Sequence, residues 1–149
     1  MRFIITAQAG ADGTRSGAQD GLDEKLLVAY MAFNEEMHKA GVLVAAEGLN
    51  PAARGARVAV SKGKRHLVDG PFTESKELVG GFYIVDVKSL DEAIQWALRV
   101  PCGLGIDDVL EIRQLTGAGD IPPEVNRIIK SAAPTWSASV WQAREQIQD

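Results

Sequence analysis

The sequence predicts an α+β fold of βαββαβ order: two helices cover one face of an antiparallel sheet, a β-hairpin is inserted after the second strand, and a helical tail follows. Three observations carry this reading. Runs at Arg2–Gln8, Val42–Glu47, Phe82–Val87 and Val109–Leu115 have the length and the β-branched or aromatic content of strands. Two segments between them, from about Asp23 to Ala40 and from Ser89 to Leu98, repeat apolar residues at helical spacing and open with capping residues. Glycine and proline punctuate the links.

Taken in order, the first strand sets Arg2, Ile4, Thr6 and Gln8 on one face, leaving Phe3 and Ile5 for the other. The glycine-rich segment from Ala9 to Gly21 lacks the G-x-G-x-x-G spacing and a terminal Gly-Lys-Ser/Thr, and Asp12 and Asp20 would repel phosphate, so it reads as a surface loop. The first helix has Asp23 as N-cap, Leu22 and Leu27 at staple spacing, and Gly41 placed to end it in the left-handed conformation. Its expected buried stripe is Leu26, Leu27, Tyr30, Met31, Phe33 and Met37, with Glu35 and Lys39 pairing on the wet side. The second strand closes at Gly48 and Asn50-Pro51. The hairpin follows, with Ala56–Val60 and Arg65–Val68 flanking Ser61-Lys62-Gly63-Lys64, basic at its tip.

Asp69-Gly70-Pro71-Phe72 then forms a rigid turn, because Pro71 fixes φ and donates no N–H, Gly70 relieves the steric limit before proline, and the Asp69 carboxylate can accept from turn N–H groups. Thr73 caps one polar helical turn carrying Glu74, Lys76 and Glu77. Three carboxylates and one amine within nine residues suit a polar ligand or acid–base chemistry, and equally an ordinary solvated turn. Gly80-Gly81 lets another backbone come close and opens a strand with Phe82, Ile84 and Asp86 on one face and Tyr83, Val85 and Val87 on the other. Ser89-Leu90-Asp91-Glu92 is a capping box, and Leu90, Ala93, Ile94, Ala97 and Leu98 make the expected stripe of the second helix. The last strand alternates, Leu110 and Ile112 against Glu111 and Arg113. Both helices on one side leave the other side of the sheet open, so Phe82 or Tyr83 and part of the first strand need cover, and a second copy of the sheet is the simplest.

The stretch Asp69-Gly-Pro-Phe-Thr-Glu-Ser-Lys-Glu, with Gly80-Gly81-Phe82-Tyr83 and Leu90-Asp91-Glu92-Ala93, resembles the YCII-related family in its branch named for the Asp-Gly-Pro-Phe motif. The resemblance covers roughly residues 1 to 115, which defines the expected domain, with 116–149 as a C-terminal helical extension. It implies a ferredoxin-like domain that pairs sheet to sheet as a dimeric α/β barrel. Some relatives use a histidine at the start of the first helix with an aspartate as a catalytic pair, one being a dehydrochlorinase. This chain departs there, reading Asp23-Glu24-Lys25-Leu26, so histidine-dependent chemistry does not carry over.

Composition bounds the rest. A net charge of −4 and no basic excess argue against a nucleic-acid footprint, and no apolar run is long enough for a membrane span or a signal-peptide core, so a cytoplasmic protein is expected. Cys102 stands alone, which excludes an intramolecular disulfide. His38 and His66 are too few and too far apart for a structural zinc site, and no metal or cofactor motif is present. Two function classes are left. One is a homodimeric small-ligand-binding or regulatory protein, with Lys76, Glu77, Tyr83, Arg113 and Gln8 as ligand-binding residues. The alternative is an enzyme of small-molecule metabolism, with Asp69 and Glu74 as proton acceptors and Lys76 or Arg113 holding an anionic group. In the tail, Val125, Ile128 and Ile129 share one side of a short helix, and Trp136, Val140, Ala143 and Ile147 recur at helical spacing beyond Pro134. Helices this short hold only if docked on the body or on a partner.

Overall fold

A computed structural model describes residues 1–8, 24–49, 55–68, 79–101 and 109–140. Strands β1 (Arg2–Gln8), β2 (Leu43–Gly48), β5 (Val79–Asp86) and β6 (Val109–Gln114) form one antiparallel sheet in the order β2-β5-β1-β6. Helices α1 (Glu24–Lys39) and α2 (Leu90–Ala97) connect β1 to β2 and β5 to β6. This is an α+β fold with the strand order of a ferredoxin-like sandwich. Between β2 and β5, β3 (Arg57–Ser61) and β4 (Lys64–Val68) pair in a separate two-stranded sheet. Lys62 and Gly63 both have positive φ, 49° and 74°, as a two-residue type I′ connection requires.

The core lies between the sheet and the two helices. Phe3 and Ile5 of β1 and Val85 of β5 are almost fully buried, against Phe33 and Met37 of α1 and Ala93 and Ala97 of α2. Each large apolar side chain removed from water here is worth about 1.5–3 kcal/mol, an upper figure because the unfolded chain already hides part of it. Phe33 joins the layers: its ring meets Tyr83 edge-on at 6.0 Å and Trp96 at 6.1 Å.

Two expected stripes are narrower than their periodicity implied. In α1, Phe33 and Met37 are buried and Leu26 and Tyr30 half-buried, whereas Leu27 and Met31 are exposed, because four positions spaced four-three-four fill the line of contact with the sheet. In α2, Leu90 and Leu98 are exposed, Leu98 at 75%. Ala93 and Ala97 let the helix approach the sheet closely, and Trp96, outside the expected stripe, packs on the core instead. The α2 cap is as expected at Ser89, whose Oγ accepts from the Glu92 N–H at 3.2 Å. The Glu92 carboxylate reaches one residue further back and accepts from the Lys88 N–H at 2.8 Å.

Strand β5 begins at Val79 rather than Phe82, since Gly81 still pairs with Ala7 and with Gly48. A Cβ on Gly81 would sit 2.9 Å from the Glu47 carbonyl oxygen, so the close approach expected there is real. Gly41 ends α1 with φ 72°, and its N–H donates to the His38 carbonyl. Glu35 and Lys39 pair at 2.9 Å, and Arg99 ties α2 to α1 by an ion pair with Glu36 while its guanidinium lies 4.9 Å from the Trp96 ring centre.

Beyond β6, a 3-10 turn (Ala118–Asp120) leads to α3 (Pro123–Ala132) and α4 (Pro134–Val140). Asn126 fastens the entry, its Nδ2 donating to the carbonyls of Ala118 and Ile121. Ser137 is buried, but Ile128 and Trp136 are 66% and 49% exposed in the single chain.

Candidate functional site

The pleat divides the sheet into two unlike surfaces. Register pairs Ile4 with Ile84 and with Arg113, and Thr6 with Phe82 and with Glu111; Glu47 of β2 pairs with Phe82. Directly paired residues share a face. Across the side that α1 and α2 do not cover, one row therefore reads Arg113, Ile4, Ile84, Ala45 and the next Glu111, Thr6, Phe82, Glu47. No residue of either row is buried.

On the β6 side of this face the polar groups touch. The Gln8 Nε2 donates to Glu111 Oε2 at 3.5 Å, and the Arg113 Nε lies 3.9 Å from Glu111 Oε1. The Thr6 hydroxyl donates to the Glu111 carbonyl oxygen, also at 3.5 Å. These are long, solvent-exposed contacts; each sits at the limit of hydrogen-bond or ion-pair geometry and adds little to stability. The Arg113 side chain is 77% exposed, so its planar fork of donors is available to a carboxylate or phosphate.

Of the residues singled out in the sequence, Gln8 and Arg113 come together here, joined by Glu111. Tyr83 does not join them: it points to the helix side, half-buried against Phe33, and Phe82 occupies the open face in its place. Asp69, Glu74, Lys76 and Glu77 lie outside the described residues. The sequence sets Glu111 on the same face of the last strand as Arg113, but its contact with Gln8 depends on the pairing of β1 with β6, which no local pattern gives.

Among the described residues, the carboxylates held below their usual range lie elsewhere, on α1: Glu36 by its hydrogen bond to Arg99, and Glu35 by its hydrogen bond to Lys39. Both are exposed structural pairs, and neither marks an acid–base centre. No group of three or more metal-ligating side chains forms among the described residues, and none of their helices is long and apolar enough to cross a membrane.

Residues 1–116 match the YCII-related domain. The chain belongs to the YCII-related family. The match ends just past β6, so the domain it defines includes the whole four-stranded sheet and leaves α3 and α4 outside. An uncharacterised protein of Rhizobium meliloti (strain 1021) is 37% identical over 75 residues, half of this chain and 60% of that relative's length. The solved 5-chloro-2-hydroxyhydroquinone dehydrochlorinase of Burkholderia phenoliruptrix AC1100, in complex with 2,5-dihydroxybenzoquinone, aligns over 80% of this chain and 97% of its own at 14% identity, with a TM-score of 0.41.

Proposed function

We propose that this YCII-related protein is a cytoplasmic homodimer whose two open sheet faces pack together as a dimeric α/β barrel, and that it binds a small polar or anionic ligand between them. One observation carries the reading: the uncovered face sets half-buried Ile4, Phe82 and Ile84 beside half-buried Gln8 and the exposed Glu111 and Arg113. An apolar centre flanked by polar groups is the make-up of an interface that encloses a site. A second copy of the face covers the isoleucines and phenylalanine and removes water from around Arg113, which strengthens its attraction for an anion. The Asp69–Glu77 turn of the Asp-Gly-Pro-Phe branch supplies Asp69, Glu74, Lys76 and Glu77 as further polar groups of the site. Should the bound molecule be turned over, Asp69 and Glu74 are the proton acceptors.

Native mass spectrometry of the purified protein tests for a retained small molecule, and inorganic phosphate with a panel of small carboxylates serves as the binding probe. With the best of these, Arg113→Ala weakens binding at least ~10-fold, equivalent to 1.4 kcal/mol, with melting unchanged. Unaltered binding in both Arg113→Ala and Gln8→Ala removes the site from this face.

A further inference from the structure

The polar group on the open face carries both signs of charge and separates them along the strands. Arg113 stands in the row of Ile4 and Ile84, Glu111 in the next row with Thr6 and Phe82, and Gln8 lies diagonally beyond Glu111 on β1. Arg2 falls on the other side of Arg113, one row further from Glu111, and Asp86 opposite it accepts from the Met1 ammonium at 3.0 Å. One end of the group is therefore cationic and the other anionic.

The contacts inside the group leave donors and acceptors to spare. Glu111 meets the Arg113 guanidinium at Nε, 3.9 Å from Oε1, which leaves the two terminal nitrogens as the fork that takes a carboxylate. Gln8 turns its Nε2 to Glu111 Oε2 at 3.5 Å, so its own amide oxygen remains an acceptor beside that carboxylate. An ammonium placed there has two acceptors, Glu111 and Gln8.

Such a group selects its ligand by charge. A simple anion on Arg113 also lies beside the Glu111 carboxylate, and once water is removed the repulsion from one offsets the attraction of the other. A simple cation on Glu111 meets the same opposition from Arg113. A molecule with a carboxylate and an ammonium one carbon apart satisfies both, because its dipole runs antiparallel to that of the Arg113–Glu111 pair. Its remaining substituent then extends over β1 and β5, where Ile4, Phe82 and Ile84 are half-buried and match an apolar side chain.

We propose that the ligand of this face is an α-amino acid with an apolar side chain, its carboxylate on Arg113, its ammonium between Glu111 and Gln8, and its side chain over Ile4, Ile84 and Phe82. The assignment rests on the reading of this face as a ligand site covered by a second copy, and it narrows the ligand from any small polar or anionic molecule to a zwitterion.

The test is calorimetric titration of the purified full-length protein with leucine and with phenylalanine, each beside the des-amino acid and the decarboxylated amine of the same side chain, and with inorganic phosphate. At least one of the two amino acids is expected to bind at least ~10-fold more tightly than either of its analogues and than phosphate. Glu111→Gln, which keeps the shape of an exposed side chain, removes the preference over the des-amino acid, and Arg113→Ala removes the preference over the amine. Equal or tighter binding of an analogue or of phosphate, or a preference over the des-amino acid that survives Glu111→Gln, overturns the amino-acid assignment and leaves the face as a site. Binding of none of the probes by the wild-type protein overturns the assignment and the site together.

Discussion

The two faces of the four-stranded sheet are built from alternate residues of the same strands, yet they are made for different surroundings. Phe3, Ile5 and Val85 are within 1% of complete burial, whereas their immediate neighbours Ile4, Phe82 and Ile84 are only half-buried and share their face with Glu47, Glu111 and Arg113. A face meant for water would alternate to polar residues throughout, and one meant for the core would carry no glutamates. This intermediate make-up is what the proposed pairing of two sheet faces would require.

The sharpest way to break the comparison is to place one charge on each face. Tyr83→Glu puts a carboxylate against Phe33 on the core side and costs several kcal/mol, so loss of the native circular dichroism spectrum or a collapse of the melting temperature is expected. Phe82→Glu, one residue away, leaves the melting of the single chain nearly intact and acts on association instead. Equal damage from both would mean that the faces do not differ.

Next in size is Gly81→Ala. The added methyl meets the Glu47 carbonyl at 2.9 Å, on backbone that can move only by opening the β2–β5 ladder. Overpacking of this kind costs about 1–3 kcal/mol, read as a lowered urea midpoint. Ser89→Ala, which removes the acceptor of the Glu92 N–H, is expected to cost about 1 kcal/mol by the same measurement.

The smallest effect is one of pH. The hydrogen bond to Arg99 lowers the Glu36 pKa in the folded chain, so the pair's contribution is present above the ordinary carboxylate value of 4.5 and is lost as pH falls through the lowered one. The pair is exposed and screened, so Glu36→Gln changes stability little at neutral pH and flattens the acid limb of the melting profile slightly. Steeper acid unfolding in the variant would contradict that sign.

Much of this was legible from local chemistry. The Ser89 cap, the glycine that ends α1, the backbone approach at Gly81 and the alternation of Glu111 and Arg113 with Leu110 and Ile112 each depend on a few adjacent residues, and each is where the sequence places it. What needed the structure depends on rotation or register. Periodicity gave α1 a wide apolar surface without telling which side meets the sheet, so Leu27 and Met31 were assigned to the core when they lie outside it. Trp96 falls outside the stripe of Leu90, Ala93, Ile94, Ala97 and Leu98 because that stripe extends to Leu90 and Leu98, whereas the small Ala93 and Ala97 within it decide which face approaches the sheet. Glu111 joined Gln8 only once β1 and β6 were in register. Asp69 and Glu74, assigned from residue type alone, lie outside the described residues.

Molar mass by light scattering at low micromolar concentration tests the central claim most directly. The wild-type protein is expected at twice the 16.0 kDa of the single chain, and Phe82→Glu at 16.0 kDa with an unchanged far-ultraviolet circular dichroism spectrum. A wild-type monomer, or a Phe82→Glu protein that remains a dimer, would contradict the assignment of the open sheet face as the surface on which two copies meet.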